Sequence, residues 1–359
     1  MSITTPARVV VVDDSALMRN IVTRSLTRAG IEVVGSARDG DEALALCERE
    51  RPDAMTLDLT MPGLDGLGVL RALRARSESN VPVVVVSAFS AAHGARAVDA
   101  LAEGAFDLVS KPTATESLEA FIENLGAKVK LAAASRRKGR FPHNGLTVTP
   151  IRPAAPARAG ARFALRRPMA TRSAKLVVIA TSTGGPRALA SLVPKLPAPL
   201  GAGTLIVQHM PAGFTGSLAA RLNASSALDV REAAGGETLD ARTALLAPGG
   251  RHLRLAPDGR TTLTDEPAVG GLRPRADLLI EDAARVYGER MLLVVLTGMG
   301  SDGLSGAREV HRRGGRILVE SEESCTVFGM PRAIVDAGLA DDVLDLDSLA
   351  EAISNEAGA

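Results

Sequence analysis

Short apolar, β-branched runs alternate with stretches of helical periodicity from the beginning of this chain, and that alternation restricts the fold more than any other feature. Arg8 to Val12, Glu32 to Ala37, Ala54 to Leu57, Val83 to Val86 and Phe106 to Ser110 read as strands. After a Ser15 cap, Leu17, Met18, Ile21, Val22, Ser25 and Leu26 recur at helical spacing, and Gly30 ends the pattern. Further helices are expected over Asp39 to Arg49, Gly66 to Arg76, Ala91 to Ala102 and Ser117 to Lys130. Strict βα alternation requires an α/β architecture with a parallel, doubly wound sheet.

The polar residues of this first unit share one position. Asp13, Asp14, Asp58, Ser87 and Lys111 all fall at carboxyl ends of strands. Three carboxylates in one crevice repel one another unless a hard cation lies between them, and Mg²⁺ suits such oxygen ligands. Lys111 adds a point charge, and Ser87 a hydroxyl, for a phosphoryl group. Together these describe an aspartyl-phosphate site.

From Asn124 to Lys175 there is no Asp or Glu, and Arg, Lys, Pro and Ala dominate. Residues 131–172 therefore read as a flexible basic linker between a first domain, 1–130, and a second, 173–359. The chain has 359 residues and a formal net charge of +1, so no global field argues for nucleic acid. Trp is absent and Tyr occurs once, which leaves little for a base-stacking surface. Cys47 and Cys325 give no disulfide or metal pattern. With no membrane-length apolar run and no signal peptide, a cytoplasmic protein is expected.

In the second unit Leu176 to Ala180 is a buried strand, Thr181 to Gly185 a tight turn, and Pro186 suits a first helical position. Ser182 thus lies between strand end and helix start, as a helix cap or as a nucleophile facing free N–H groups. Thr204 to Val207 and Met291 to Leu296 are strands followed by His209 and Asp302. Ser182, His209 and Asp302 are the inventory of a nucleophile, its base and an orienting carboxylate. Their chain order matches none of the familiar serine-hydrolase classes, and Ala180 breaks the G-x-S-x-G elbow. Gly235 to Asp265 reads as a hairpin or meander insertion, and His252 within it as a second site residue. A rival reading uses the same stretch. Gly298-Met-Gly300-Ser-Asp-Gly303 matches G-x-G-x-x-G after a strand, and Glu320 ends the next strand, as in dinucleotide sites. That reading leaves Ser182 and His209 unexplained, and it puts an anion, Asp302, where a pyrophosphate would lie.

The first unit resembles the response-regulator receiver domain over about residues 6 to 130. The resemblance implies a flavodoxin-like fold, Mg²⁺ held by Asp13, Asp14 and Asp58, transfer of a phosphoryl group to Asp58 from a sensor histidine kinase, and switch roles for Ser87 and Lys111. Leu108 departs from the pattern, since many receivers carry an aromatic there. Ala180-Thr-Ser-Thr-Gly-Gly185, Gln208-His-Met-Pro-Ala-Gly-Phe-Thr215, Leu296-Thr-Gly-Met-Gly-Ser-Asp-Gly303 and Phe328-Gly-Met-Pro-Arg332 look like the chemotaxis receptor methylesterase domain. That likeness implies a Rossmann-like, three-layer αβα domain with a small β insertion. It implies a phosphorylation-activated hydrolase that demethylates glutamate methyl esters and deamidates glutamines on chemoreceptors, with no cofactor for hydrolysis. Ser182, His209 and Asp302 would be catalytic, and the backbone at Thr183, Gly184 and Met299 would supply the oxyanion hole. Leu272 departs from the usual His before Arg273-Pro274. The unphosphorylated receiver is expected to pack over the Ser182 crevice. The competing expectations are a receiver-regulated dinucleotide enzyme and a non-catalytic phospho-dependent binding protein.

Overall fold

A computed structural model describes residues 5–75, 81–88, 91–112, 117–137 and 174–358. The first unit contains β1 (Arg8–Val12), α1 (Ala16–Arg28), β2 (Glu32–Ala37), α2 (Gly40–Glu50), β3 (Ala54–Leu57), α3 (Gly66–Ala75), β4 (Val83–Ser87), α4 (Ala91–Ala102), β5 (Asp107–Ser110) and α5 (Leu118–Arg137). The strands form one parallel sheet in the order β2-β1-β3-β4-β5. Val9 to Val12 and Val83 to Val86 are buried on both faces, which explains why these strands are continuous valine runs and do not alternate. Ser15 caps α1 by accepting the Met18 N–H, as its position ahead of the periodic stretch predicts.

One boundary moves. The helix expected to stop at Lys130 continues to Arg137, and Ala132 and Ala133 are buried against the first unit's core. Leu131 to Arg137 is therefore helix where linker was expected. Residues 138–172, the rest of that linker, and the expected helix end at Arg76 lie outside the described residues.

The second unit contains β6 (Leu176–Thr181), α6 (Gly185–Leu192), β7 (Thr204–Gln208), α7 (Thr215–Asn223), β8 (Asp229–Glu232), β9 (Thr243–Leu246), β10 (His252–Leu255), β11 (Thr261–Thr264), α8 (Ala276–Tyr287), β12 (Met291–Val295), α9 (Leu304–Arg312), β13 (Arg316–Glu320), α10 (Met330–Asp336), β14 (Asp342–Leu344) and α11 (Leu346–Ala357). Seven strands form a parallel sheet in the order β14-β13-β12-β6-β7-β9-β8. The chain leaves β6 toward β7 on one side and returns to β12 on the other. The carboxyl ends of β6 and β12 thus flank the switch point, where a sheet of this kind opens a crevice.

The stretch from Gly235 to Asp265 is not one insertion. β9 joins the main sheet beside β7, and only β10 and β11 form a separate antiparallel hairpin. Three elements went unread in the sequence. β8 and β14 are short edge strands with mostly exposed residues, and α11 starts at an Asp345 cap.

The two units share a buried apolar seam. Ala97, Val98 and Leu101 of α4 belong to the same cluster as Leu189 and Leu192 of α6 and Phe214 and Leu218 beside and on α7. Arg221 donates to Asp99 at 2.7 Å across the seam. A partly exposed pair of this kind contributes about 0.2–1 kcal/mol, whereas each buried large apolar side chain contributes about 1.5–3 kcal/mol. Apolar burial is therefore the main adhesive. Gly94 sits at a close approach of the two units, because a Cβ there would lie 2.4 Å from the Gly213 carbonyl oxygen. Gly94→Ala favours the helix itself by about 1 kcal/mol but forces the seam apart. It is expected to raise the radius of gyration in small-angle scattering while the circular dichroism stays unchanged.

Candidate active site

The first unit brings its acidic residues together as expected. Asp13 follows β1, Asp58 follows β3, and carboxylate oxygens of Asp13, Asp14 and Asp58 lie within 4.8 Å of one another. Lys111 Nζ sits 2.6 Å from Asp58 Oδ2 and 2.8 Å from Asp13 Oδ2. Burial raises the Asp13 pKa, the nearby Asp58 charge adds to this, and Lys111 only partly offsets it. Burial would lower Lys111, but its bonds to Asp13 and Asp58 push it up. Ser87 is fully buried at the end of β4, and its Oγ has no hydrogen-bond partner. Asp13 Oδ2 has none with good geometry either. Three clustered carboxylates with an unsatisfied buried oxygen fit a hard divalent cation.

In the second unit the site is built on three adjacent strands, β12, β6 and β7. Ser182 follows β6, and its N–H donates to the Thr297 carbonyl just beyond β12. Its own carbonyl accepts from Gly185 N–H at 2.8 Å and from Gln208 Nε2 at 2.9 Å. The same Gln208 amide donates to the His209 carbonyl at 3.0 Å, so one side chain ties the serine turn to the histidine loop. Gly184 caps α6 with φ of 80°, a left-handed conformation that suits glycine.

His209 Nε2 lies 2.7 Å from Asp302 Oδ2. An ionised carboxylate only accepts, so Nε2 carries the proton and Nδ1 is the basic nitrogen. Nδ1 is buried without a hydrogen-bond partner, so the Ser182 hydroxyl is not bonded to it in this arrangement. Asp302 also accepts from the Ala276 and Asp277 N–H groups at 2.7 and 3.0 Å, the free N–H groups at the start of α8. Burial opposes its charge. Its interactions with His209 and with these two N–H groups overcome that, and hold the carboxyl well below the usual range.

The remaining sequence candidates separate. Thr183 is buried, and its Oγ1 donates to Asp107 Oδ2 of β5 at 2.6 Å, across the seam. Met299 is exposed beside the crevice. Gly298 presses on the serine, since a Cβ there would lie 2.9 Å from Ser182 Cβ. Two expectations are corrected. His252 is fully buried between the Pro267 carbonyl and the Arg275 N–H, both at 3.2 Å, and so pins a loop. Glu320 is buried and accepts from Thr297 N–H at 2.7 Å, with burial pushing its pKa up. It braces the strand ends and presents no carboxylate to a ribose. Asp107, Gln208 and Arg275 were not singled out in the sequence. No local pattern marks them, because the site groups they reach, Thr183, Ser182 and Asp302, lie 76, 26 and 27 residues away in sequence.

Comparison with known proteins agrees with this arrangement. Residues 177–353 match the CheB methylesterase family, and residues 9–123 match the response regulator receiver domain. The chain is 44% identical over 360 residues to the protein-glutamate methylesterase/protein-glutamine glutaminase of Symbiobacterium thermophilum, covering 98% of each. It is 44% identical over 356 residues to protein-glutamate methylesterase/protein-glutamine glutaminase 5 of Myxococcus xanthus, covering 97% of each. The chain belongs to the CheB methylesterase family. It carries that family's domain behind a receiver, and both sheets are parallel as expected. The family assignment leaves the dinucleotide reading of Gly298 to Gly303 without support. Among the described residues, no helix is long and apolar enough to cross a membrane.

Gly298→Ala tests the packing of this CheB site. The added methyl must displace Ser182 Cβ or Met330 Sδ, at 2.9 and 2.4 Å. A serine moved by a few tenths of an ångström loses alignment, and kcat is expected to fall about tenfold or more. KM should change little in steady-state assays.

Proposed function

We propose that this protein removes methyl groups from glutamate side chains of chemoreceptors, and deamidates receptor glutamines, under control of phosphorylation at Asp58. The observation that carries the reading is the 2.7 Å pair of His209 and buried Asp302 beside the Ser182 turn. Ser182 Oγ attacks the side-chain carbonyl carbon of the methyl ester, and His209 Nδ1 takes its proton. Asp302 fixes the tautomer and balances the imidazolium. The proton then passes to the leaving oxygen, and methanol departs. Water, deprotonated by the same imidazole, adds to the acyl-enzyme; the acyl–Oγ bond then breaks, the imidazolium returns the proton to Ser182 Oγ, and the glutamate is freed. With a glutamine substrate the leaving group is ammonia. Backbone N–H groups at Thr183, Gly184 and Met299 are assigned to the oxyanion. The receiver is taken to run through α5 and the catalytic domain to begin ahead of β6.

Control is assigned to the seam. Asp107 of β5 holds the hydroxyl of the residue next to Ser182, and α4 covers the flank formed by α6 and α7. A sensor histidine kinase is the expected phosphoryl donor. Asp13, Asp14 and Asp58 would hold Mg²⁺, which when bound neutralises charge on the transferring phosphoryl group. Lys111 and Ser87 would receive that group's oxygens. β5 lies between Lys111 and Asp107, so a shift there reaches Thr183 directly.

Methanol release from methylated receptor membranes, with Mg²⁺ and a small phosphodonor, tests the activity. Wild type should release it, and Ser182→Ala should not; equal release from both would remove Ser182 from the mechanism. Asp107→Ala should raise donor-free release about tenfold, since a hydrogen bond to a charged group contributes about 1.5–3 kcal/mol. Unchanged donor-free release would free Asp107 of any part in control.

A further inference from the structure

Behind the His209–Asp302 pair lies a second acid and a base that the hydrolytic reading does not use. Asp277 is buried, and its Oδ1 accepts from the Gly303 and Gly306 N–H groups at the start of α9, both at 2.9 Å. Asp302 in turn accepts at the start of α8. Each carboxylate thus caps the helix that the other precedes or opens. Two buried acids this close are mutually unfavourable, and the charge of Asp302 adds to burial in raising Asp277.

Arg275 spans them. Its Nη2 donates to Asp277 Oδ2 at 2.7 Å, and its Nε lies 2.9 Å from Asp302 Oδ1, as a charge contact without hydrogen-bond geometry. Its Nη1 donates to the Val269 carbonyl at 3.3 Å, and its N–H is held by His252 Nδ1. The guanidinium is therefore fixed on both sides. Without it, Asp302 and Asp277 would stand together behind the His209–Asp302 bond with no cation between them, which favours a positive charge on the ring. A protonated His209 cannot take the serine proton. His252 also faces this cluster, its Nδ1 accepting the Arg275 N–H, and Glu320 beneath Thr297, Asp107 on Thr183 and Arg187 in the first turn of α6 are ionisable groups on neighbouring elements. The substitutions below leave all four of these side chains in place.

We propose that Arg275 is a positioning residue for this reaction, bridging Asp302 and Asp277 so that His209 stays oriented with its Nδ1 free to take a proton. The proposal rests on the hydrolase reading above, but one of its tests does not need activity. The His209 ring can be titrated by NMR in the full chain with ¹³C-labelled histidine, its signal assigned by His209→Gln. Arg275→Gln is expected to raise the His209 pKa by about one unit, because a cation beside its partner is gone. Arg275→Lys should restore most of the difference. Asp277→Asn removes an anion and should move the pKa the opposite way, which keeps the test decisive if Arg275→Gln fails to fold. The acid limb of kcat/KM for methanol release should follow, upward for Arg275→Gln and downward for Asp277→Asn. A role limited to holding the loop would scale activity at every pH and leave the titration in place. An unmoved His209 titration in a folded Arg275→Gln protein, or an upward or absent shift in Asp277→Asn, overturns the proposal. Normal titration shifts with no methanol release from wild type would instead reject the hydrolase reading alone.

Discussion

The carboxylate of Asp302 is the constraint to which the rest of the catalytic domain conforms. An ionised acid that is 3% exposed is unfavourable unless every oxygen is satisfied. Here the satisfaction comes from the start of α8, from Gly303 and from His209. The same four contacts that make burial tolerable also fix the imidazole. Stability and orientation are thus supplied by one set of hydrogen bonds, and neither can be altered without the other. The reciprocal caps of α8 and α9 make the packing of those two helices part of the active site.

The site has a second dependency that comes from outside its own sheet. Thr183 follows Ser182 in sequence, yet its hydroxyl is held by a residue of the receiver. Val327, next to the loop that bonds Gly298, packs against the receiver's core. The receiver is therefore in contact with both rims of the crevice. Among the described residues the seam has a buried apolar cluster, with the Thr183–Asp107 and Arg221–Asp99 bonds across it. Such an interface can be released as a body once the directed contacts go, without remodelling either fold.

Much of this was legible in the sequence because the signals are local. Parallel strands buried on both faces appear as valine runs, and functional groups follow them directly, so Asp13, Asp58, Ser182, His209 and Asp302 could be placed at strand ends before any coordinates. The two resemblances supplied their roles. What escaped has a common physical cause. β8 and β14 lie at sheet edges, are short and carry charged residues, and so show no apolar run. β9 reads as part of an insertion because Gly-rich turns flank it. α5 ran on because Ala132 and Ala133 bury a face that composition alone reads as linker. Asp107, Gln208, Arg275 and Asp277 act through contacts distant in sequence, which no periodicity records.

The order of strands in the catalytic sheet has a consequence for the making of the protein. β6, with the Ser182 turn after it, is central and is the first strand of its sheet to be synthesised, while β12 and Asp302 come more than a hundred residues later. The receiver precedes them all, and domains fold in the order in which they leave the ribosome. By the time Asp302 can reach His209, the receiver's own sheet is already complete. No stage of synthesis therefore yields a finished Ser182 crevice ahead of the domain whose Asp107 bonds Thr183.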